Sequence, residues 1–195
     1  TTLLNRLLKD PALVDTAVGS LGAAAARVAL LSTDGTRLET VAARGYPDEV
    51  RERWSSFPAD TKDILGDAIG QRSVVTVASA DEALERYPML AGLGAGYPVG
   101  AQAAAPLLTG DELLGVLGVN FRSTRRFSME DESLLLAIGR QCGQAIERAR
   151  LFEAERRGRE RAPKLRDLAS PLAAAASPSA VASTAARTAA PLPRR

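Results

Sequence analysis

The segment from Phe127 to Arg157, FSMEDESLLLAIGRQCGQAIERARLFEAERR, constrains this chain more than any other. It reads as one capped helix that starts as a core element and ends as an exposed charged rod. Ser128 is placed to be the N-cap, with Asp131 three residues on to complete a capping-box-like pair. Glu130, Asp131 and Glu132 set negative charge on the positive end of the helix dipole. Leu135, Ile138, Cys142, Ala145, Ala149 and Phe152 recur at helical spacing and form one face. Beyond Ala149 the apolar stripe thins into Arg and Glu. A helix that leaves its domain in this way suits pairing with a second copy and passing a signal onward, so these six residues are candidates for a dimerisation and signalling face. The alternative is an ordinary C-terminal helix with a solvated end.

Composition narrows the chemistry. The 195 residues allow one medium domain with extensions. With 46% apolar but only 4% aromatic residues, the core must be built from Leu, Val and Ala. A net charge of +2 gives no case for nucleic acid. Histidine is absent, which removes the commonest general base and the commonest metal and haem ligand. One cysteine permits neither an internal disulfide nor a CxxC site. With no signal-peptide pattern and no long apolar run, the expected setting is cytoplasmic and away from membranes. Thr1 in place of methionine is the start expected of a fragment or a processed product.

Along the chain, Thr1 to Gly22 is predicted helical, with Asp10-Pro11 opening a second helix. Ala25 to Ser32 and Arg37 to Arg44 are strands around the hairpin turn Thr33-Asp34-Gly35-Thr36. A long excursion follows. It holds short helices at Asp48–Trp54, Thr61–Ile69 and Asp81–Arg86, a short strand at Ser73–Val77, and a loop from Tyr87 to Val99 punctuated by Pro88, Gly92, Gly94, Gly96 and Pro98. Such a stretch between two hairpins is unusual unless it covers something. Ala101–Leu108 and Leu113–Phe121 form the next strand pair, the second apolar on both faces and so central. The long helix comes last. After about Arg161 the sequence turns to Ala, Pro, Ser and Arg, a composition expected of a disordered linker with at most a short helix at Pro163–Leu168.

This order, with ARGYPDEV (43–50), AIGQRSVV (68–75), ERYPML (85–90), PLLTGDELLGVLGVNF (106–121) and the 127–156 helix, resembles a bacterial GAF domain. The similarity is to GAF modules of actinobacterial-type multidomain regulators, such as sensor histidine kinases and SpoIIE-type serine phosphatases, and it spans Leu3 to Arg157. It implies an α+β fold: a mostly antiparallel sheet flanked by helices, a small-molecule pocket under the excursion, a long C-terminal signalling helix and a disordered tail. The resulting division is 1–22 for packing and dimerisation, 23–157 for the GAF domain and 158–195 for an Ala/Pro/Arg-rich linker or tail. Neither a phosphatase core nor a kinase histidine is present in this chain.

The chemistry known for such domains meets obstacles here. Phe127, Asp131 and Glu132 match half of a cyclic-nucleotide motif, but Asn120 is followed by Phe121 where that motif needs lysine, and helix capping alone accounts for the acidic pair. Haem ligation through histidine is excluded by composition. Cys142 lies at a core-facing helical position, where a free cysteine acts as a small hydrophobe rather than a bilin anchor or a redox centre. Trp54, Phe57, Tyr87 and Tyr97 all fall in the excursion and are the ligand-pocket candidates; the competing reading is that they pin the excursion to the sheet. The arginines at 125, 126 and along the tail read as a solvated charge run. The expectation is a non-enzymatic sensory module, without metal or cofactor, that binds a small ligand or a protein partner and works as a homodimer. The alternative is the regulatory fragment of a phosphatase or kinase whose catalytic domain lies outside the chain.

Overall fold

The structure, a computed structural model, describes residues 12–93, 97–98 and 100–175. Two hairpins build its sheet. Strand β1 (Ala25–Leu31) turns back as β2 (Arg37–Arg44). In that turn Asp34 accepts hydrogen bonds from the Ser32 hydroxyl and from the backbone and hydroxyl of Thr36, which hold its carboxyl down at about 2. The second hairpin joins β5 (Gln102–Thr109) to β6 (Glu112–Asn120). Thr109 pairs with Glu112, so Gly110 and Asp111 are the whole turn, and Gly110 takes a φ of 56° that glycine adopts without a Cβ clash. Short strands β3 (Ser56–Pro58) and β4 (Val75–Val77) extend the two edges. The six strands run in the order β3-β2-β1-β6-β5-β4, every pairing antiparallel.

The two faces of this sheet differ. One carries α1 (Ala12–Leu21) and α5 (Met129–Ala175). Val14, Leu21, Val28, Leu107, Leu117, Leu135, Ile138, Cys142 and Ile146 form its core. Arg125 ties the two helices together, donating to the Leu21 carbonyl at 2.6 Å and to the Asp131 carboxylate at 2.6 Å. On the other face lie α2 (Asp48–Arg53), α3 (Ile64–Gln71), α4 (Ala80–Arg86) and a 3-10 helix (Pro88–Leu93). The excursion therefore covers the sheet. Asp63 starts α3 later than the apolar pattern predicts, because its carboxylate caps the Leu65 and Gly66 amides at 2.9 and 3.0 Å.

At the start of α5, Ser128 and Asp131 exchange bonds: the Ser128 amide donates to Asp131 at 2.9 Å, and the Asp131 amide donates to the Ser128 hydroxyl at 3.2 Å. The stripe that follows does not read as one interface. Leu135, Ile138 and Cys142 are buried on the domain's own sheet, and Ala149 is buried as well. Ala145 is half-buried and Phe152 is 54% exposed. Helical periodicity gives the face but not its partner, and here the sheet takes the first half. Gly139 and Gly143 show why the fit is close: a Cβ on either would stand 2.8 Å from the Pro106 carbonyl oxygen or 2.7 Å from that of Leu108. The compact unit ends at Arg150, within α5, and Leu151 begins a second unit. Helical backbone continues to Ala175, past residue 157 where the sequence predicts a linker. The alanines, leucines and arginines there are strong helix formers whether or not they bury anything. The expected helix at 1–11 and the expected tail at 176–195 lie outside the described residues.

Candidate functional site

The excursion face has a floor of very small side chains. Ala25 and Ala29 of β1, Gly118 of β6 and Ala104 of β5 all point to this side, and the register sets Gly118 between Arg27 and Ala104. The missing Cβ of Gly118 makes room for Leu65 and the stem of Arg27; a methyl there would meet the Leu65 side chain at 2.7 Å. One register step away, Asn120 lies between Ala25 and Gln102. Three polar side chains thus rise from an otherwise Ala/Gly floor: Arg27, Asn120 and Gln102, each at most 6% exposed.

Aromatic rings close over Arg27. Its guanidinium carbon lies 5.0 Å from the Trp54 ring centre, 5.4 Å from Tyr46 and 5.7 Å from Phe57. Trp54 and Phe57 meet edge to face at 4.9 Å, and Tyr46 stacks on Tyr97 at 5.8 Å. Asn120 links the two tyrosines, accepting from the Tyr46 hydroxyl at 2.7 Å and donating to the Tyr97 hydroxyl at 3.1 Å. Asp63 is buried near the same group. Burial pushes its carboxyl above the ordinary range, against the pull of the Gly66 amide and of Arg27. For Arg27 burial acts against the charge, yet Tyr46, Tyr97 and Asp63 outweigh it and the guanidinium stays charged.

What this cage lacks is a full set of partners. The Arg27 guanidinium reaches the Tyr97 hydroxyl, but its Nε donates to nothing. The Trp54 indole nitrogen and both ends of the Gln102 amide are equally unpartnered. Cation–π contact returns about 2 kcal/mol for a desolvated guanidinium. Taking the ion out of water costs several kcal/mol. Asp63 and the tyrosines make up the rest for the charge, while Arg27 Nε, the Trp54 indole N–H and the Gln102 amide stay without partners.

Of the four aromatics that the sequence nominates, Trp54, Phe57 and Tyr97 stand in this cage. Tyr87 belongs to the same apolar layer, but its hydroxyl donates to Asp67 at 2.7 Å, beside the Arg86–Asp67 ion pair. The sequence does not nominate Arg27, Tyr46, Asp63 or Gln102, and it brings up Asn120 only against the cyclic-nucleotide motif. Two signals were there to be used: an amide inside each of two apolar strands, and an aspartate immediately before an apolar helical run. Elsewhere, an open groove of about 590 Å³ runs past Leu31, Glu39, Glu112 and Arg150, and another of about 610 Å³ past Lys62 and Asp67. Neither offers an unpartnered buried polar group, so the cage is the candidate site.

An antiparallel sheet with terminal helices on one face and a roofed polar cage on the other is an α+β module of one sheet and two helical layers. The chain belongs to the GAF domain family, whose model matches residues 11–147. No curated protein matches it significantly in sequence. Among solved structures it is similar to a domain of a two-component sensor histidine kinase from Sinorhizobium meliloti, at 24% identity and a TM-score of 0.56, covering 74% of this chain and 93% of that one. The second GAF domain of DevS from Mycobacterium smegmatis matches at 24% identity and a TM-score of 0.56, covering 78% and 98%. A type II free methionine-R-sulfoxide reductase from Thermoplasma acidophilum matches at 14% identity and a TM-score of 0.59, covering 74% and 96%. At these identities the likeness is one of fold. Among the described residues no helix is long and apolar enough to cross a membrane.

Proposed function

We propose that this GAF domain is a non-enzymatic sensory module that binds a small ligand in the Arg27 cage and relays occupancy through α5 as a homodimer. One observation carries the reading: a charged side chain nine-tenths buried beneath the excursion, with a donor left unused. A buried polar group without a partner costs free energy that a ligand supplying the partner would recover. Catalysis of the reductase kind finds little support. The only cysteine, Cys142, is buried on the opposite face of the sheet, where burial pushes its thiol up to about 11, and the sequence has no histidine to activate it. The relay reading is supported by the continuation of α5 beyond the compact unit as a helix.

A native mass spectrum of the purified chain tests this directly. The expected result is a dimer carrying extra mass that is lost on denaturation. A bare monomer under the same conditions would remove the homodimer relay. A second reading, favoured by the likeness to a sensor-kinase domain, makes the chain the regulatory part of a kinase or a SpoIIE-type serine phosphatase. The coding sequence beyond Arg195 distinguishes the two: a catalytic domain in the same reading frame supports the second.

A further inference from the structure

We propose that Arg125 is the positioning residue that couples the excursion to the terminal helices, carrying any loosening of the excursion into the start of α5. The inference deepens the relay part of the reading above, on which it rests, and names the contact through which the two faces of the sheet communicate. Arg125 lies between β6 and α5 and is bonded to three parts of the domain at once. Its backbone amide donates to the Ala78 carbonyl at 2.9 Å, on the excursion just beyond β4. Its guanidinium donates to the Leu21 carbonyl that ends α1 and to the Asp131 carboxylate at the start of α5, each at 2.6 Å. Two rings hold the guanidinium in place: its carbon lies 4.7 Å from the Phe121 ring centre and 5.6 Å from that of Phe127.

The cage reaches the same corner along the chain. Asn120 holds the hydroxyls of Tyr46 and Tyr97 on the excursion side, while Phe121, the next residue, belongs to the core on the helix side and packs on Arg125. The backbone there has little slack. The Phe121 amide donates to the Ala101 carbonyl at 2.8 Å, the Ala101 amide to the Ser123 carbonyl at 3.0 Å, and a Cβ on Gly100 would stand 2.3 Å from the Phe121 carbonyl oxygen. A shift of Asn120 therefore moves Phe121 with it. The excursion grips Arg125 a second time through Ala78, whose own amide donates to the Glu82 carboxylate of α4 at 2.9 Å. A planar guanidinium serves two acceptors from one rigid fork, so displacing it breaks both bonds together. The end of α1 and the Asp131 carboxylate are then released in one step.

Amide hydrogen exchange of the full chain, followed by NMR with no ligand added, reads the coupling. Tyr46→Phe removes one hydroxyl from Asn120 and keeps the ring. The reporters are the Asp131 and Glu132 amides, bonded to the Ser128 hydroxyl and carbonyl at 3.2 and 3.1 Å. The Gly35 amide, bonded to Ser32 in the β1–β2 turn, is the reference for a general loss of stability. Residues that share no partner normally act independently, so without coupling Tyr46→Phe leaves α5 unchanged relative to Gly35. The expected result is exchange at Asp131 and Glu132 that quickens relative to Gly35 by about twofold or more, the lower end for residues within one network. That quickening should vanish in the Arg125→Met background and be reduced in Arg125→Lys, whose single ammonium replaces the fork. A merely structural Arg125 would alter stability yet leave the effect of Tyr46→Phe the same in every background. Equal quickening in Arg125→Met overturns the proposal, and so does its absence when Arg125 is present. If Arg125→Met does not fold, as circular dichroism would show, the lysine variant decides, and full quickening there overturns the proposal. Neither ligand nor dimer enters this measurement, so its failure leaves binding and dimerisation standing, and a bare monomer in the native mass spectrum leaves the coupling standing.

Discussion

A guanidinium buried among alanines is held there by Asp63 and the two tyrosines, and that makes Arg27 a residue whose removal should cost stability. Removing one partner of a buried charge pair leaves the other uncompensated and costs about 3–5 kcal/mol. Arg27→Met is therefore expected to lower the melting temperature, measured by calorimetry. The pH dependence of that loss has a definite sign. Arg27 pulls the Asp63 carboxyl down, so without it a group already raised by burial rises further. A raised folded-state pKa favours folding below the ordinary value near 3.8, and the benefit is lost as pH climbs through the folded value. The stability loss of Arg27→Met relative to the wild type should grow as pH rises above 3.8. In the double variant with Asp63→Asn, which keeps the cap, it should be nearly flat. Asp131 has the opposite sign. Its bond from the Ser128 amide, and then Arg125, hold the carboxyl below its usual range, so its contribution is present at neutral pH and lost on acidification through the depressed value. Asp131→Ala should cost about 1 kcal/mol in urea unfolding at neutral pH. The two variants converge in stability at low pH.

Elements were more legible than the site they enclose. Both hairpins declare themselves by paired apolar runs around a glycine-bearing turn, and α5 by its cap and its stripe. The edge strands β3 and β4 are too short to carry a period, so β3 escapes notice entirely. Arg27 hid for a physical reason. In AARVALL a lone charge at an alternate position reads as the solvent face, and only the excursion, folded down through non-local contacts, turns that face inward. Tyr87 was nominated by the same excursion logic and faces another partner, because nothing in the local sequence says that Asp67 on α3 waits for its hydroxyl. The orientation of α5 was open too, although Gly139 and Gly143, one helical turn apart, mark the side that must approach a backbone closely. Gly139→Val tests that assignment. A branched side chain would be driven into the Pro106 carbonyl, and overpacking of this kind costs about 1–3 kcal/mol. A fall in urea midpoint without change in slope is the expected outcome. An unchanged midpoint would mean that the helix does not sit on β5 through this side.

For the whole molecule, the placement of α5 decides which surface can serve a dimer. Leu135, Ile138, Cys142 and Ile146 are spent on the sheet, so a homodimer through this helix has to use its outer side. Within the compact unit that side carries Leu134, which is 39% exposed, with Gln141, Gln144 and Arg148 following at helical spacing. It is a mixed surface, in keeping with an exchangeable signalling contact rather than a permanent one. Two aspartate substitutions four residues apart then separate interface from core. Leu134→Asp should leave the far-ultraviolet spectrum and the melting of the folded chain close to the wild type, while shifting sedimentation from dimer towards monomer, because a carboxylate at a packed contact lacks a partner. Ile138→Asp should collapse the fold itself, since that residue is only 5% exposed within the domain core. If the wild type sediments as a dimer and Leu134→Asp does the same, the outer side of α5 is not the contact. If Ile138→Asp instead folds normally and only dissociates, the stripe belongs to the dimer after all and the packing of α5 on its own sheet is wrong.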